Sequence, residues 1–110
     1  MMDMLSYMDV IPSKESVSRT ESLNILSGVA NDSEETTVSI SLWGKADKEW
    51  KALITQETYV AAHEHKHLYY TLTPEMYSEK VWGEDVEEIE LRVSERMPDE
   101  ETRGVMVFIL

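Results

Sequence analysis

Residues 45–73, KADKEWKALITQETYVAAHEHKHLYYTLT, form the longest run in the chain without Gly or Pro and hold all three histidines. The run separates two strand-like regions, so its conformation decides what kind of core the protein builds. As one helix it would set Trp50, Leu53, Ile54, Ala61 and Leu68 on a common face at about 100° per residue. Glu57 and Glu64 would share that face, which is costly where the face is buried. A break at Thr55 removes much of the conflict. Thr55 suits an N-cap, Glu57 falls in the first turn, and a helix from Gln56 presents Tyr59, Val60, His63, His67 and Tyr70 together. Trp50, Ala52 and Ile54 then belong to a preceding strand or a separate short helix. The aromatics and threonines of residues 68–73 also suit an extended segment.

On the N-terminal side, residues 1–12 place Met4, Leu5 and Met8 at helical spacing and close at Pro12, so they suit a short helix or a loosely ordered arm reaching to about residue 20. Residues 13–22 are polar and read as a loop or a frayed strand. Residues 23–29 alternate, Asn31, Asp32 and Ser33 supply turn chemistry, and residues 36–43 alternate clearly. Val38, Ile40 and Leu42 lie on one face there, and pairing with 23–29 makes a hairpin. Residues 38–46, VSISLWGKA, are similar to a strand of the replication protein A type of OB-fold. On the C-terminal side, Thr73, Pro74 and Glu75 start a helix that Gly83 stops near Trp82. Ile89, Leu91 and Val93 then alternate with polar residues. Residues 98–104 form a loop, and 105–110, VMVFIL, suit an inner strand covered on both faces. The expected fold is a single α+β domain over residues 1–110. In it, an antiparallel sheet from N- and C-terminal hairpins packs on a central helical segment and a second short helix.

The totals bound the function. A chain of 110 residues has room for one core, and no apolar run approaches the roughly 20 residues of a membrane span. There is no cysteine, which excludes disulfides and thiolate chemistry and fits the cytoplasm. The first ten residues hold two Asp and no base, unlike a secretory signal. A formal net charge of −12 opposes direct binding of nucleic acid, including the single-strand binding an OB-fold would imply, and steers the chain towards basic surfaces.

Two groups of residues could carry chemistry. His63-Glu64-His65-Lys66-His67 matches H-E-x-x-H and resembles the zincin class of zinc metallopeptidases. On a helix, His at i and i+4 share a face and can hold one zinc, while the intervening Glu polarises the bound water. The resemblance implies His63 and His67 as metal ligands, Glu64 as catalytic base, and a third ligand among Glu75, Glu79, Glu84 and Glu87. The second group is an acidic tract over residues 75–101, with eleven acids against three bases. Within it Glu84, Asp85, Glu87, Glu88, Glu90, Asp99, Glu100 and Glu101 are the candidate binding residues, because closely spaced carboxylates can imitate a phosphate backbone.

The expected function is that of a non-enzymatic acidic protein without a cofactor. It would occupy the basic surface of a partner protein, including a nucleic-acid-binding one, as an inhibitor resembling nucleic acid. It would bind neither nucleic acid nor membrane directly, and homo-oligomers are compatible with it. The alternative is a small zinc-dependent, metallopeptidase-like protein that uses residues 63–67.

Overall fold

The computed structural model describes residues 5–47, 49–99 and 101–110; Met4, Lys48 and Glu100, named above, lie outside them. The chain is built from strands. One sheet contains β1 (Tyr7–Met8), β2 (Ile11–Pro12), β4 (Leu23–Ala30) and β7 (His65–Leu72). The other contains β3 (Ser16–Val17), β5 (Thr36–Lys45), β6 (Trp50–Val60), β8 (Glu88–Ser94) and β9 (Val105–Ile109), in the order β3-β9-β8-β5-β6. In the first sheet β4 is central, with β7 along one side and β1 and β2 along the other. Every pairing is antiparallel except β3 with β9.

The core lies between the sheets. Leu23, Ile25 and Val29 of β4 and Leu68, Tyr70 and Leu72 of β7 cluster with Ile40 and Leu42 of β5, Ile89, Leu91 and Val93 of β8, and Val107 and Ile109 of β9. Each of these side chains stabilises the fold by about 1.5–3 kcal/mol on burial. The Tyr70 hydroxyl crosses the core and donates to the Ile40 carbonyl at 2.9 Å, joining the two sheets. Tyr77, fully buried, meets the Ser18 and Glu21 carbonyls and fastens the β7–β8 connection to the β3–β4 loop. A bulge shifts the β5–β6 register, so Ile54 faces Leu42 and Ala52 faces Trp43. The extra residue, Leu53, packs over Gly44, where a Cβ would stand 2.7 Å from its methyl carbon. This two-sheet arrangement, with the first strand divided between the sheets, is an immunoglobulin-like β-sandwich.

The expected α+β fold is therefore corrected, most sharply at residues 45–73. That stretch has no helix among its described residues: β6 lies in one sheet, β7 in the other, and residues 61–64 turn between them. Its Thr, Tyr, Val and Ile content favours extended backbone. The burial confirms a period of two, with Leu68, Tyr70 and Leu72 inward and His65, His67, Tyr69 and Thr71 outward. The turn forms without Gly or Pro because His63 takes a left-handed φ of 56°. Glu64 holds the turn in two ways: its carboxylate accepts from the Ala61 N–H at 2.8 Å, and its carbonyl accepts from the Asn31 N–H at 2.9 Å. Glu57, a liability on a buried helix face, is exposed on β6.

Other expectations divide. Strands at 23–30 and 36–45 form, yet they sit in different sheets and make no hairpin with each other. The C-terminal hairpin forms as β8–β9, with β9 inside its sheet. Residues 74–82 give a 3-10 turn (Pro74–Tyr77) and a single helical turn, α1 (Glu79–Trp82), which Gly83 ends at φ 81°. A second helix of useful length is absent from the described residues. In the lead-in, residues 7–8 and 11–12 are strands rather than a helix, edging the first sheet.

Candidate binding surfaces

The H-E-x-x-H residues do not converge. His63 stands in the turn, whereas His65 and His67 point outward from β7. A helix would have put His63 and His67 one turn apart on one face; a turn followed by a strand does not. Glu64, the expected base, is engaged with its own turn. Among the described residues, no group of three or more His, Asp or Glu side chains is placed to hold a metal ion. The zinc-peptidase alternative and its zinc site are overturned by this geometry.

The acidic tract also fails as one continuous face. Glu84, Asp85, Glu87, Glu88 and Glu90 line an open trough of about 1010 Å³ where the β5–β6 turn, the start of β8 and the end of β9 meet. Asp99 and Glu101 belong to the β8–β9 loop at the opposite end of β8, in company with Arg92, Arg96 and Arg103. Asp99 is committed to that loop. The Thr102 hydroxyl donates to it at 2.7 Å and holds its carboxyl below the usual range, and the Glu101 N–H adds a bond at 3.1 Å. Among the described residues, the acids from 84 to 101 form no single continuous array.

The outer face of the β4 sheet gathers residues that the sequence reading left scattered. Register places Ile11 of β2 opposite Leu26 of β4, and Leu26 opposite Tyr69 of β7. These three make an apolar row across the sheet, with Ile11 50% and Tyr69 71% exposed. On one side of the row Asn24 pairs with Thr71, whose side chains meet at 3.5 Å. On the other side Gly28 pairs with His67. Gly28 keeps that position flat: a Cβ there would lie 3.3 Å from the Asp9 carboxylate and 3.7 Å from the His67 ring. The Gly28 N–H donates to Asp9 at 2.6 Å and fixes the carboxylate over the strand. Beyond it a cleft of about 590 Å³ continues between Ser6, Asp9 and Asp32 on one flank and His65 and His67 on the other.

The sandwich edge next to this face is latched. Gln56 of β6 donates to the Tyr69 carbonyl at 2.8 Å, and Lys66 of β7 donates to the Tyr59 carbonyl at 2.8 Å. Side chains thus occupy acceptors that an open strand edge would offer to another chain. The Tyr59 hydroxyl donates to Glu35 at 2.6 Å, and that bond raises its pKa. Ile11, Leu26, Asp9 and Tyr69 were missed as a group because their proximity comes from strand register. The period of two in 65–72 was the one local signal that Tyr69 faces outward.

No protein-family model matches the chain, and no curated protein matches it in sequence. Solved structures do. A β-glucosidase from Erythrobacter marinus superposes with a TM-score of 0.78 over 96% of this chain, at 11% identity. The β-glucosidase of Listeria innocua in complex with isofagomine gives 0.64 over 94%, at 17% identity, and a mutant of it in complex with laminaribiose gives 0.61 at 16%. The likeness is to a part. This chain spans 16% of the length of each enzyme. At such identities the likeness is one of fold, and that fold is a sandwich occupying about a sixth of a glucosidase. Together with the divided acidic tract, it corrects the expectation of a nucleic-acid-like inhibitor.

Proposed function

We propose that the chain is a non-catalytic accessory module of a carbohydrate-processing protein, and that the outer face of its β4 sheet binds saccharide. The observation that carries this is the Ile11–Leu26–Tyr69 row with its polar borders. A pyranose ring presents C–H groups on its faces and hydroxyls around its rim. The C–H faces suit an exposed aromatic ring, whose π surface is negative. The rim needs donors and acceptors on both sides, which Asn24 and Thr71 supply on one border and Asp9 and His67 on the other. Saccharide is neutral, so a net charge of −12 does not repel it.

The fold likeness to part of two β-glucosidases, one held with laminaribiose, supports the choice of β-linked glucosides as ligand. We place the module in the cytoplasm on the strength of its cysteine-free sequence. Among the described residues no helix is long and apolar enough to cross a membrane.

Calorimetric titration with laminaribiose and longer β-linked gluco-oligosaccharides tests the reading. Binding with a Kd on the order of 1 mM or tighter is expected. Tyr69→Ala should weaken it at least ten-fold, while Tyr69→Phe, which keeps the ring, should retain most of it. No binding at about 10 mM ligand, or equal affinity in Tyr69→Ala, would refute the saccharide face. Turnover of an aryl β-glucoside by the chain alone would refute the non-catalytic part.

A further inference from the structure

The second sheet carries an apolar stripe of its own. Met106, Phe108 and Leu110 alternate with the inward Val107 and Ile109, so all three point outward. They are 37%, 48% and 75% exposed, although β9 lies inside its sheet. The stripe is about 13 Å long, at about 3.3 Å per residue. It forms part of the wall of the trough of about 1010 Å³. An apolar stripe on an inner strand, open to solvent and set in a concavity, marks a contact surface better than scattered apolar residues do.

The trough's charges are unequally committed. Arg19 donates to the Val86 carbonyl at 2.9 Å and lies 4.0 Å from Asp85. Lys45 sits over the Trp50 ring at 5.5 Å. Glu90 accepts from the Gly104 N–H at 3.1 Å. The carboxylates of Glu84, Glu87 and Glu88, by contrast, enter no side-chain hydrogen bond or ion pair among the described residues. Both bases are thus turned towards partners within the fold, and three exposed carboxylates on the trough are open to cations from outside.

We infer that this trough docks an extended polypeptide segment in which apolar residues alternate with Lys or Arg. The apolar side chains would lie on Phe108 and its neighbours at the same two-residue spacing, and the bases would meet Glu84, Glu87 and Glu88. Both requirements have to be met together. Charge alone would attract any cation, and the stripe alone would accept any apolar chain. The surface differs from an imitation of nucleic acid because the stripe provides the anchor and the carboxylates orient what lands on it. It belongs to the other sheet from the saccharide face, so either assignment can fail while the other stands.

The probe is a synthetic peptide of alternating Lys and Leu, with alternating Lys-Ser and Glu-Leu peptides as controls, titrated by fluorescence anisotropy into the full chain. The Lys-Leu peptide should bind at least ten-fold tighter than either control, with affinity falling steeply as salt rises. Phe108→Ser should cost at least ten-fold, and so should Glu84, Glu87 and Glu88 changed together to Gln. Both variants alter exposed side chains, and circular dichroism is the check that each is folded. Equal binding of the Lys-Ser peptide, or unchanged affinity in Phe108→Ser, would overturn the proposal. So would self-association of the chain that Phe108→Ser abolishes, because the stripe would then be serving a second copy.

Discussion

Tyr69 and Tyr70 are adjacent in sequence and face opposite sides of one strand. Tyr69 offers its ring to solvent; Tyr70 is buried and gives its hydroxyl to Ile40. Burial pushes the Tyr70 phenol up to about 12 from an ordinary 10. Below pH 10 both folded and unfolded chains keep this proton, and stability is unaffected. Between about pH 10 and 12 the unfolded chain loses it while the folded chain holds it, so stability falls by up to about 3 kcal/mol. Tyr70→Phe should flatten that alkaline loss. At pH 8 it should also cost about 1–3 kcal/mol, because the Ile40 carbonyl is left without its donor. Urea unfolding of both proteins at pH 8 and pH 11 measures the two effects together. At Gly104 a Cβ would stand 2.5 Å from the Leu91 carbonyl oxygen, and backbone cannot move aside as a side-chain end can. Gly104→Ala is expected to cost about 1–3 kcal/mol in the same assay. His63 holds a left-handed φ, so His63→Gly should be neutral or stabilising, and His63→Val should cost about 1–2 kcal/mol. None of these residues announces its role in the sequence. A left-handed His and a cross-core tyrosine are defined by where the backbone goes.

At the scale of elements, legibility depended on whether the sequence alternates cleanly and ends at a breaker. Residues 23–30 and 36–45 do both, nearly enough, and their strands were readable; so was the stop at Gly83, which has the positive φ a glycine favours. Residues 50–72 do neither. Leu53 is the extra residue of a bulge and puts the apolar pattern out of step, and the turn at 61–64 contains no Gly or Pro. Bulge and turn together produced false helical spacings, including His63 with His67. Pairing was legible for the C-terminal hairpin but not for the N-terminal one, since β4 and β5 are consecutive strands that lie in different sheets. The last strand was legible as an inner one, but not its exposed face. β9 bridges β3 and β8 and sends Val107 and Ile109 into the core. Deleting residues 105–110 should therefore abolish cooperative unfolding. A deleted chain that melts like the intact one would contradict the topology.

For the whole molecule, composition pointed to an acidic surface but could not show how it is divided. The sandwich separates an open carboxylate trough at one end of β8 from an arginine-bearing loop at the other. It also leaves exposed apolar side chains on the outer face of each sheet. The saccharide assignment depends on three residues from three strands, Ile11, Leu26 and Tyr69, forming one row on the β4 sheet. Amide chemical-shift mapping of the 15N-labelled chain during titration with laminaribiose tests that row most directly. The account predicts saturable shifts at residues 9–11, 24–28 and 65–71, with the trough residues 84–90 and 105–110 undisturbed. Shifts confined to the trough, or none at saturating sugar, would contradict it.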